Sequence, residues 1–324
     1  MADAQGQTAS TSRVRAALPA EKPRPAAGSR LDAWAERIGV ERRTLIAGIA
    51  LPAISLVAIV ATVFVAPANQ TQLILLSSVV SVVAGIAVSS VGVYGGVLVP
   101  GLLLLGVDAR FVAALSLGLQ VLVIPLAAGS HYRMGNFSRS VALPLLIGGV
   151  IGAFVGPLFA AILPKDTIAR LIAALIIVVG LVVLATLRLR GLGQVRPHAD
   201  VPRARVTGIG LVAGFSSGIS GAGWGPIGMT LLILSRIDPR QAIGSSLFAR
   251  IFMAASAVVG FIIAQTAFSN VTPNWWIVVP LLAGSIAPMI AGAMLLSRLG
   301  RERATIGITL LSIALALPTL AWGH

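Results

Sequence analysis

The sequence contains no cysteine, which excludes disulfides, thiolate metal sites and any cysteine-based relay. Charge is also scarce: Asp, Glu, Lys and Arg make up 10% of the 324 residues, against 57% apolar residues. The ten acidic residues fall in the N-terminal stretch, in connectors or at the ends of apolar blocks, and His131, His198 and His324 lie outside those blocks. An intramembrane proton relay therefore lacks its usual groups. No nucleotide-binding loop appears and no segment is large enough to form a domain that would hold one, so the chain by itself is no ATP-driven pump. No metal site and no cofactor are expected. The net charge of +14 could suggest nucleic acid, but in a chain this apolar it points to basic loops held on the cytoplasmic side of a bilayer.

What is present is long apolar runs. A membrane span needs about 20 consecutive apolar residues, and uncharged or nearly uncharged blocks occupy 44–66, 73–107, 111–129, 140–163, 167–187, 206–235, 241–265, 275–297 and 304–322. Residues 1–43 differ in kind. They are rich in Ala, Pro, Arg and Ser without an apolar core, and read as a disordered cytoplasmic tail, not a cleaved signal peptide. Within it, Leu31, Trp34 and Ile38 recur at helical spacing, which suits a short interfacial helix at 30–43. Trp34, Trp275, Trp276 and Trp322 near block ends suit interfacial anchors.

Arginines cluster around 133–139, 188–205, 236–240 and 298–303, whereas the connectors at 66–72 and 266–274 carry no charge. Positive-inside then puts the basic connectors in the cytoplasm and the two uncharged ones outside. Counting crossings leaves one block too many between 66–72 and Arg133, and again between 188–205 and 266–274. Both conflicts vanish if 73–107 and 206–235 are hairpins that return to the side they entered from.

Those two blocks also resemble each other. Allowing one inserted residue, "AGIAVSSVGVYGGVLVP" (84–100) lines up with "AGFSSGISGAGWGPIGM" (213–229), and further on Asp108 matches Asp238, Arg110 Arg240, Ser116 Ser246, Gln120 Arg250, Pro144 Pro280 and Gly148 Gly284. Each copy has an odd number of crossings, so the second sits upside down. The expected fold is an all-α polytopic membrane protein with an inverted-topology repeat, each copy a re-entrant helical hairpin plus three transmembrane helices. One extra N-terminal helix at 44–66 precedes repeat 1 (71–190), a basic cytoplasmic linker (191–205) and repeat 2 (206–324). Pro125, Pro144, Pro280 and Pro288 read as helix kinks.

Half of a 30-residue block is about 22 Å of helix, short of a hydrocarbon core of about 30 Å. The hairpin tips therefore end inside the membrane, where freed amides must face protein or a wet cavity. New half-helices are expected to begin near Val97 and Ile227, with amides and partial positive charge that favour an anion. Tyr94 and Trp224 stand in the tips, and Gly95, Gly96, Gly221, Gly223 and Gly225 leave the backbone open to a ligand. Close helix packing is the competing use of such glycines. Ser89, Ser90, Ser216, Ser217 and Ser220 offer hydroxyls at the same depth. Arg250 lies in the middle of block 241–265, where an ionised side chain expects a partner. Either backbone carbonyls hold it or a substrate anion does. Gln120 is its repeat mate, and Ser116 and Ser246 lie one turn away on the same faces.

The glycine-rich breaks "VYGGVLVPGLL" and "GAGWGPIGM", the ensuing Asp with Arg two residues later, and the four-span repeat resemble the sulfite exporter TauE/SafE family over about residues 70–322. The resemblance implies a transporter of sulfite or related organosulfur or carboxylate anions in the bacterial cytoplasmic membrane. Trp224 departs from the more usual glycine triplet, so pocket and substrate can differ. The expected partners are a small anion and the lipid bilayer, with no nucleic acid and with a homo-oligomer left open. The expected topology has the N-terminus cytoplasmic and the C-terminus outside, with export driven mainly by membrane potential. The alternatives are a proton-coupled importer of a small anion or an intramembrane phosphatase. The latter lacks a general base beside its nucleophile, since the tips hold no Glu, Asp or His.

Overall fold

A computed structural model describes residues 42–133, 135–190, 201–222, 224–235, 237–264, 274–288 and 301–322. The interfacial helix expected at 30–43, the linker residues 191–200 and Gly223 lie outside the described residues, except for the start of the first helix at Arg42. Every regular element among the described residues is helical: α1 (Arg42–Val65), α2 (Thr71–Val91), α3 (Gly95–Leu104), α4 (Ala109–Arg133), α5 (Arg139–Ala161), α6 (Lys165–Arg190), α7 (Arg203–Ser220), α8 (Trp224–Leu234), α9 (Pro239–Ala264), α10 (Val278–Ile286) and α11 (Arg301–Trp322). Six stretches are long and apolar enough to cross a membrane: Ile46–Val65, Ala68–Ser90, Ala109–Arg133, Arg139–Ala161, Asp166–Arg188 and Arg240–Ala264. Lipid offers no hydrogen bonds, so apolar runs close their backbone bonds internally, as helix. Pro125 and Pro144 are absorbed inside α4 and α5, Pro280 sits in the first turn of α10, and Pro288 lies in the turn after it.

The two glycine-rich blocks each divide in two. The first arm ends at Gly92 (φ 77°) in one and at Gly221 (φ 67°) in the other. Each left-handed glycine turns its N–H back onto the last turn, Gly92 onto Val88 O at 3.1 Å and Gly221 onto Ser217 O at 2.7 Å. A side chain at that φ would clash with its own backbone, so glycine is the residue that ends these helices. The second arms begin at Gly95 and Trp224, two or three residues earlier than the sequence suggests. The arms are unequal, 21 and 10 residues in the first block, 18 and 11 in the second. The short arms are about 15 Å long. A Cβ placed on Gly101 would lie 2.5 Å from Val80 Cγ1, so α3 runs back along α2.

Asp108 and Asp238 follow the short arms and cap the next helices in the same way. Asp108 Oδ1 accepts the amides of Arg110 (2.9 Å) and Phe111 (3.3 Å), and Asp238 Oδ1 those of Arg240 (2.9 Å) and Gln241 (3.2 Å). The repeated Asp-x-Arg is thus a helix start, with the carboxylate on orphan amides.

Several helix pairs form the packing. α5 packs on α7 and α10 on α2; α3 touches α11 and α8 touches α6; α4 meets α9, and α6 meets α11. The α5–α7 seam is the most extensive and is built on glycine. A Cβ on Gly148 would strike Thr207 O, on Gly152 Leu211 O, on Gly210 Leu145 O and on Gly214 Gly149 O; on Gly156 it would lie 2.7 Å from Phe215 O and on Gly218 2.5 Å from Ala153 O. Spaced four residues apart on each helix, these glycines bring two backbones into direct contact.

Contacts between connectors define two ends. Asn274 Nδ2 donates to Gln70 Oε1 (2.6 Å), Trp275 stacks edge-on against Phe111 (6.1 Å), and Arg110 Nη2 donates to Leu163 O (2.6 Å). At the other end the Ser138 amide donates to Ser245 Oγ (3.0 Å), and Gly244 lies against the carbonyl of Asn136. Around α1 the apolar side chains Ile54, Leu56, Val57 and Phe64 are exposed, a surface suited to lipid.

Candidate functional site

The two helix breaks touch. A Cβ on Gly95 would strike Gly221 O and lie 2.8 Å from Ala222 Cα, while one on Gly221 would lie 2.8 Å from Ala113 Cα. The space a side chain would take at Gly95 therefore belongs to the other break. The carbonyl of Gly221 accepts from Ser116 Oγ and from Gln120 Nε2, both at 3.0 Å, and Gln120 Nε2 also lies 3.3 Å from Ser116 Oγ. From the opposite side, Arg250 Nη1 donates to Gly92 O at 2.7 Å, and Arg250 Nη2 to Gln120 Oε1 at 2.8 Å.

The arrangement is reciprocal. Gln120, from α4, holds the carbonyl that ends α7; Arg250, from α9, holds the carbonyl that ends α2; and the two side chains hold each other. Carbonyls at a helix C-terminus carry the negative end of the dipole, so a cation there is stabilised without a carboxylate. Of the two partners the sequence allowed for Arg250, backbone carbonyl is the one in place. Arg250 is 5% exposed, and its Nε is buried with no partner.

The remaining expected site residues that are described have different fates. The hydroxyls of Ser89 (to Gly85 O, 2.9 Å), Ser90 (to Ile86 O, 2.6 Å), Ser220 (to Ser216 O, 2.7 Å) and Ser246 (to Ile243 O, 3.0 Å) donate to their own helices. Ser220 Oγ also accepts the Ala222 amide at 3.0 Å, tightening the second break. Ser217 is buried. Tyr94 is buried with its hydroxyl 2.8 Å from Ser285 Oγ, and Gly96 is buried against Val93 Cγ1, 2.8 Å from where its Cβ would lie. Trp224 opens α8 and is 1% exposed, its indole Nε1 without a partner. Gly225 follows in the first turn of α8.

Sequence reasoning passed over Gly92, whose carbonyl anchors Arg250. Its signal was its alignment with Gly221 in the repeat. It also passed over Ser285, the partner of Tyr94, for which no signal existed, since the contact joins residues far apart in the chain.

A family model described as Sulfite exporter TauE/SafE matches residues 77–318. The chain belongs to the TauE/SafE family. It is a membrane transporter, not an enzyme. Among relatives of this TauE/SafE protein, one from Bacillus subtilis (strain 168), named Probable membrane transporter protein YtnM, is 34% identical over 212 residues, covering 62% of this chain and 68% of the relative. Another from the same organism, Probable membrane transporter protein YdhB, is 28% identical over 55% of this chain and 74% of its own length. A Probable membrane transporter protein of Haemophilus influenzae is 26% identical over 59% and 74% respectively. No solved structure matches the TauE/SafE chain.

Proposed function

We propose that this transporter exports sulfite, or a related organosulfur or carboxylate anion, across the bacterial cytoplasmic membrane through the junction of its two helix breaks. The observation that carries the reading is Arg250: a buried guanidinium in the middle of a membrane helix, joined to both breaks and with no carboxylate bonded to it among the described residues. Its charge is offset by carbonyl dipoles, which leaves net positive potential for an anion to use. Residues placed around that anion are Ser89, Ser90, Tyr94, Gly95, Gly96, Ser116, Gln120, Ser217, Ser220, Gly221, Gly223, Trp224, Gly225, Ser246 and Arg250. Burial of Tyr94, Ser116, Gln120, Ser217, Ser220, Trp224, Ser246 and Arg250 suits a closed junction, with the anion's passage requiring the Arg250–Gln120 bridge to part.

In this reading the fold is an inverted repeat with two re-entrant hairpins. Three observations support it: the matched helix pairs, the antiparallel Val80–Gly101 contact, and the connectors. Gln70, before α2, and Phe111, after α3, both meet the segment at 274–275, so the first hairpin starts and finishes at one end. Thr207, near the start of α7, lies level with Gly148 in the first half of α5, and Gly244, after α8, lies against Asn136 just before α5, so the second hairpin keeps to the other end. The arginine-rich end faces the cytoplasm, with the N-terminus inside and the C-terminus outside.

Transport is driven by the membrane potential, worth about 2.3 kcal/mol per charge per 100 mV. The test is sulfite efflux from proteoliposomes with potential and proton gradient imposed separately, comparing the intact protein with Arg250→Gln. Flux that follows the potential and is lost in the variant is expected. Flux that needs a proton gradient and ignores the potential overturns the coupling, and unaltered flux in a folded Arg250→Gln overturns the site.

A further inference from the structure

The two breaks share one architecture but not one chemistry. Six buried side-chain polar atoms among the described residues have no hydrogen-bond partner, on Arg110, Ser216, Trp224, Arg250, Asn274 and Thr319. Ser216, Trp224 and Arg250 all belong to the second copy and surround the second break. Ser216 stands on the last turns of α7, one turn before Ser220; Trp224 opens α8; Arg250 is bridged through Gln120 to the carbonyl of Gly221. Trp224 belongs to one apolar cluster with Leu117 and Ala249, which neighbour Ser116 and Arg250 in the chain. The three residues thus lie on α7, α8 and α9, elements tied to the second break.

The corresponding positions of the first copy are mute. Ser216 aligns with Ala87, which has no polar atom; Trp224 takes the place in its break that Gly95 takes in the first; and Gln120, the mate of Arg250, has both ends of its amide bonded. The aromatic next to Gly95, Tyr94, has its hydroxyl on Ser285. An arginine Nε–H and an indole N–H can only donate, and a serine hydroxyl can donate as well. Leaving such donors buried and unpaired is costly, and each in a native structure calls for an explanation.

We propose that the transported anion is held by the second copy alone, on Arg250 Nε, Trp224 Nε1 and Ser216 Oγ, while the first copy supplies only the closing contacts, Gln120 and Gly92. This rests on the reading of the junction as the transport site and adds to it that the site is one-sided. Ser216 and Trp224 become specificity residues, and the anion stays with the second copy as the first moves away from it.

The test uses the full chain in nanodiscs and proteoliposomes, with sulfite as the probe. Trp224→Phe keeps the ring and removes the donor; Ser216→Ala removes the hydroxyl. Each is expected to raise the KM for sulfite roughly tenfold, the size of one hydrogen bond to a charged group. Ser81→Ala, which removes a buried hydroxyl from the first copy away from the junction, leaves KM unchanged. Sulfite also perturbs tryptophan fluorescence in the intact protein, and that response disappears in Trp224→Phe. If sulfite is carried and Arg250→Gln abolishes its transport while Ser216→Ala and Trp224→Phe keep the original KM, the one-sided site is wrong and the junction stands. If a folded Trp224→Phe shows the same fluorescence response as the intact protein, the indole contact is wrong. If the intact protein neither binds nor moves sulfite, sulfonates or carboxylates, the transport reading itself falls with it. Should Trp224→Phe not fold, Ser216→Ala decides alone.

Discussion

Two seams join the halves of this transporter, and they are made differently. Where α5 lies on α7, glycines at every fourth position set backbone against backbone, so that an added Cβ would meet a carbonyl oxygen or an amide nitrogen. Where α10 lies on α2, the equivalent contacts involve hydroxyls: Gly284 lies under Ser81 Oγ, Ser81 Oγ reaches Pro280 O at 3.4 Å, and Ser285 holds Tyr94. Gly85 keeps the backbone kind of contact there, against Ser285 O, and Gly284 adds one 3.0 Å from Ser78 O. A backbone seam has no rotamer to change and tolerates no side chain. A hydroxyl can turn and re-pair, so the α2–α10 seam accommodates an added group more readily than the α5–α7 seam does.

Substitutions break or sharpen that contrast, the largest effect first. Gly152→Ala pushes a methyl into Leu211 O and the Phe215 amide, neither of which can move aside. It should cost about 3 kcal/mol, at the top of the usual overpacking range, read as lost monodisperse yield and a lowered unfolding midpoint in detergent. The same change at Gly284 meets a serine hydroxyl that can rotate, and about 1 kcal/mol is expected in the same unfolding experiment. Equal costs at the two positions would erase the distinction between the seams. Tyr94→Phe deletes one hydrogen bond and leaves Ser285 its bond to Leu281 O; a loss of about 1 kcal/mol should appear as faster hydrogen exchange in α10, with α5 unchanged. Gly208→Ala is the smallest: it lies on the glycine-rich α7 with nothing within 4 Å of its Cβ position. Replacing an open helical glycine should be neutral or stabilise by about 0.5 kcal/mol, visible as an unchanged or slightly raised midpoint.

Much of the architecture was legible in the residues. Block 44–66 became α1 at Arg42–Val65, block 111–129 became α4, and block 241–265 became α9. The interruption of 73–107 and 206–235 was legible because glycine clusters coincided with blocks that charge parity left one crossing too many. The helix starts after the breaks were placed two or three residues late, because glycine was counted as helix-breaking where Gly95 in fact opens α3. The α5–α7 seam was missed. Its glycines are spaced by fours on each helix, but nothing in the spacing says which helix faces which, and close packing had been weighed only at the breaks. Four of the expected serine donors turned out to bond their own helices, a local option open to any serine in a helix.

The sequence alone determined that this chain crosses a membrane many times, that two of its apolar runs are broken, and that one arginine is stranded among apolar residues. These follow from the length of the runs, the conformational freedom of glycine and the cost of charge in lipid, and need no knowledge of neighbours. Only the tertiary structure decided that the two breaks touch, that Arg250 and Gln120 cross to hold the opposite break, and that Ser216, Trp224 and Arg250 keep unpaired polar atoms. Those facts depend on which helices pack together, and packing between apolar helices is set by shape at positions far apart in the chain, which no local pattern of residues records.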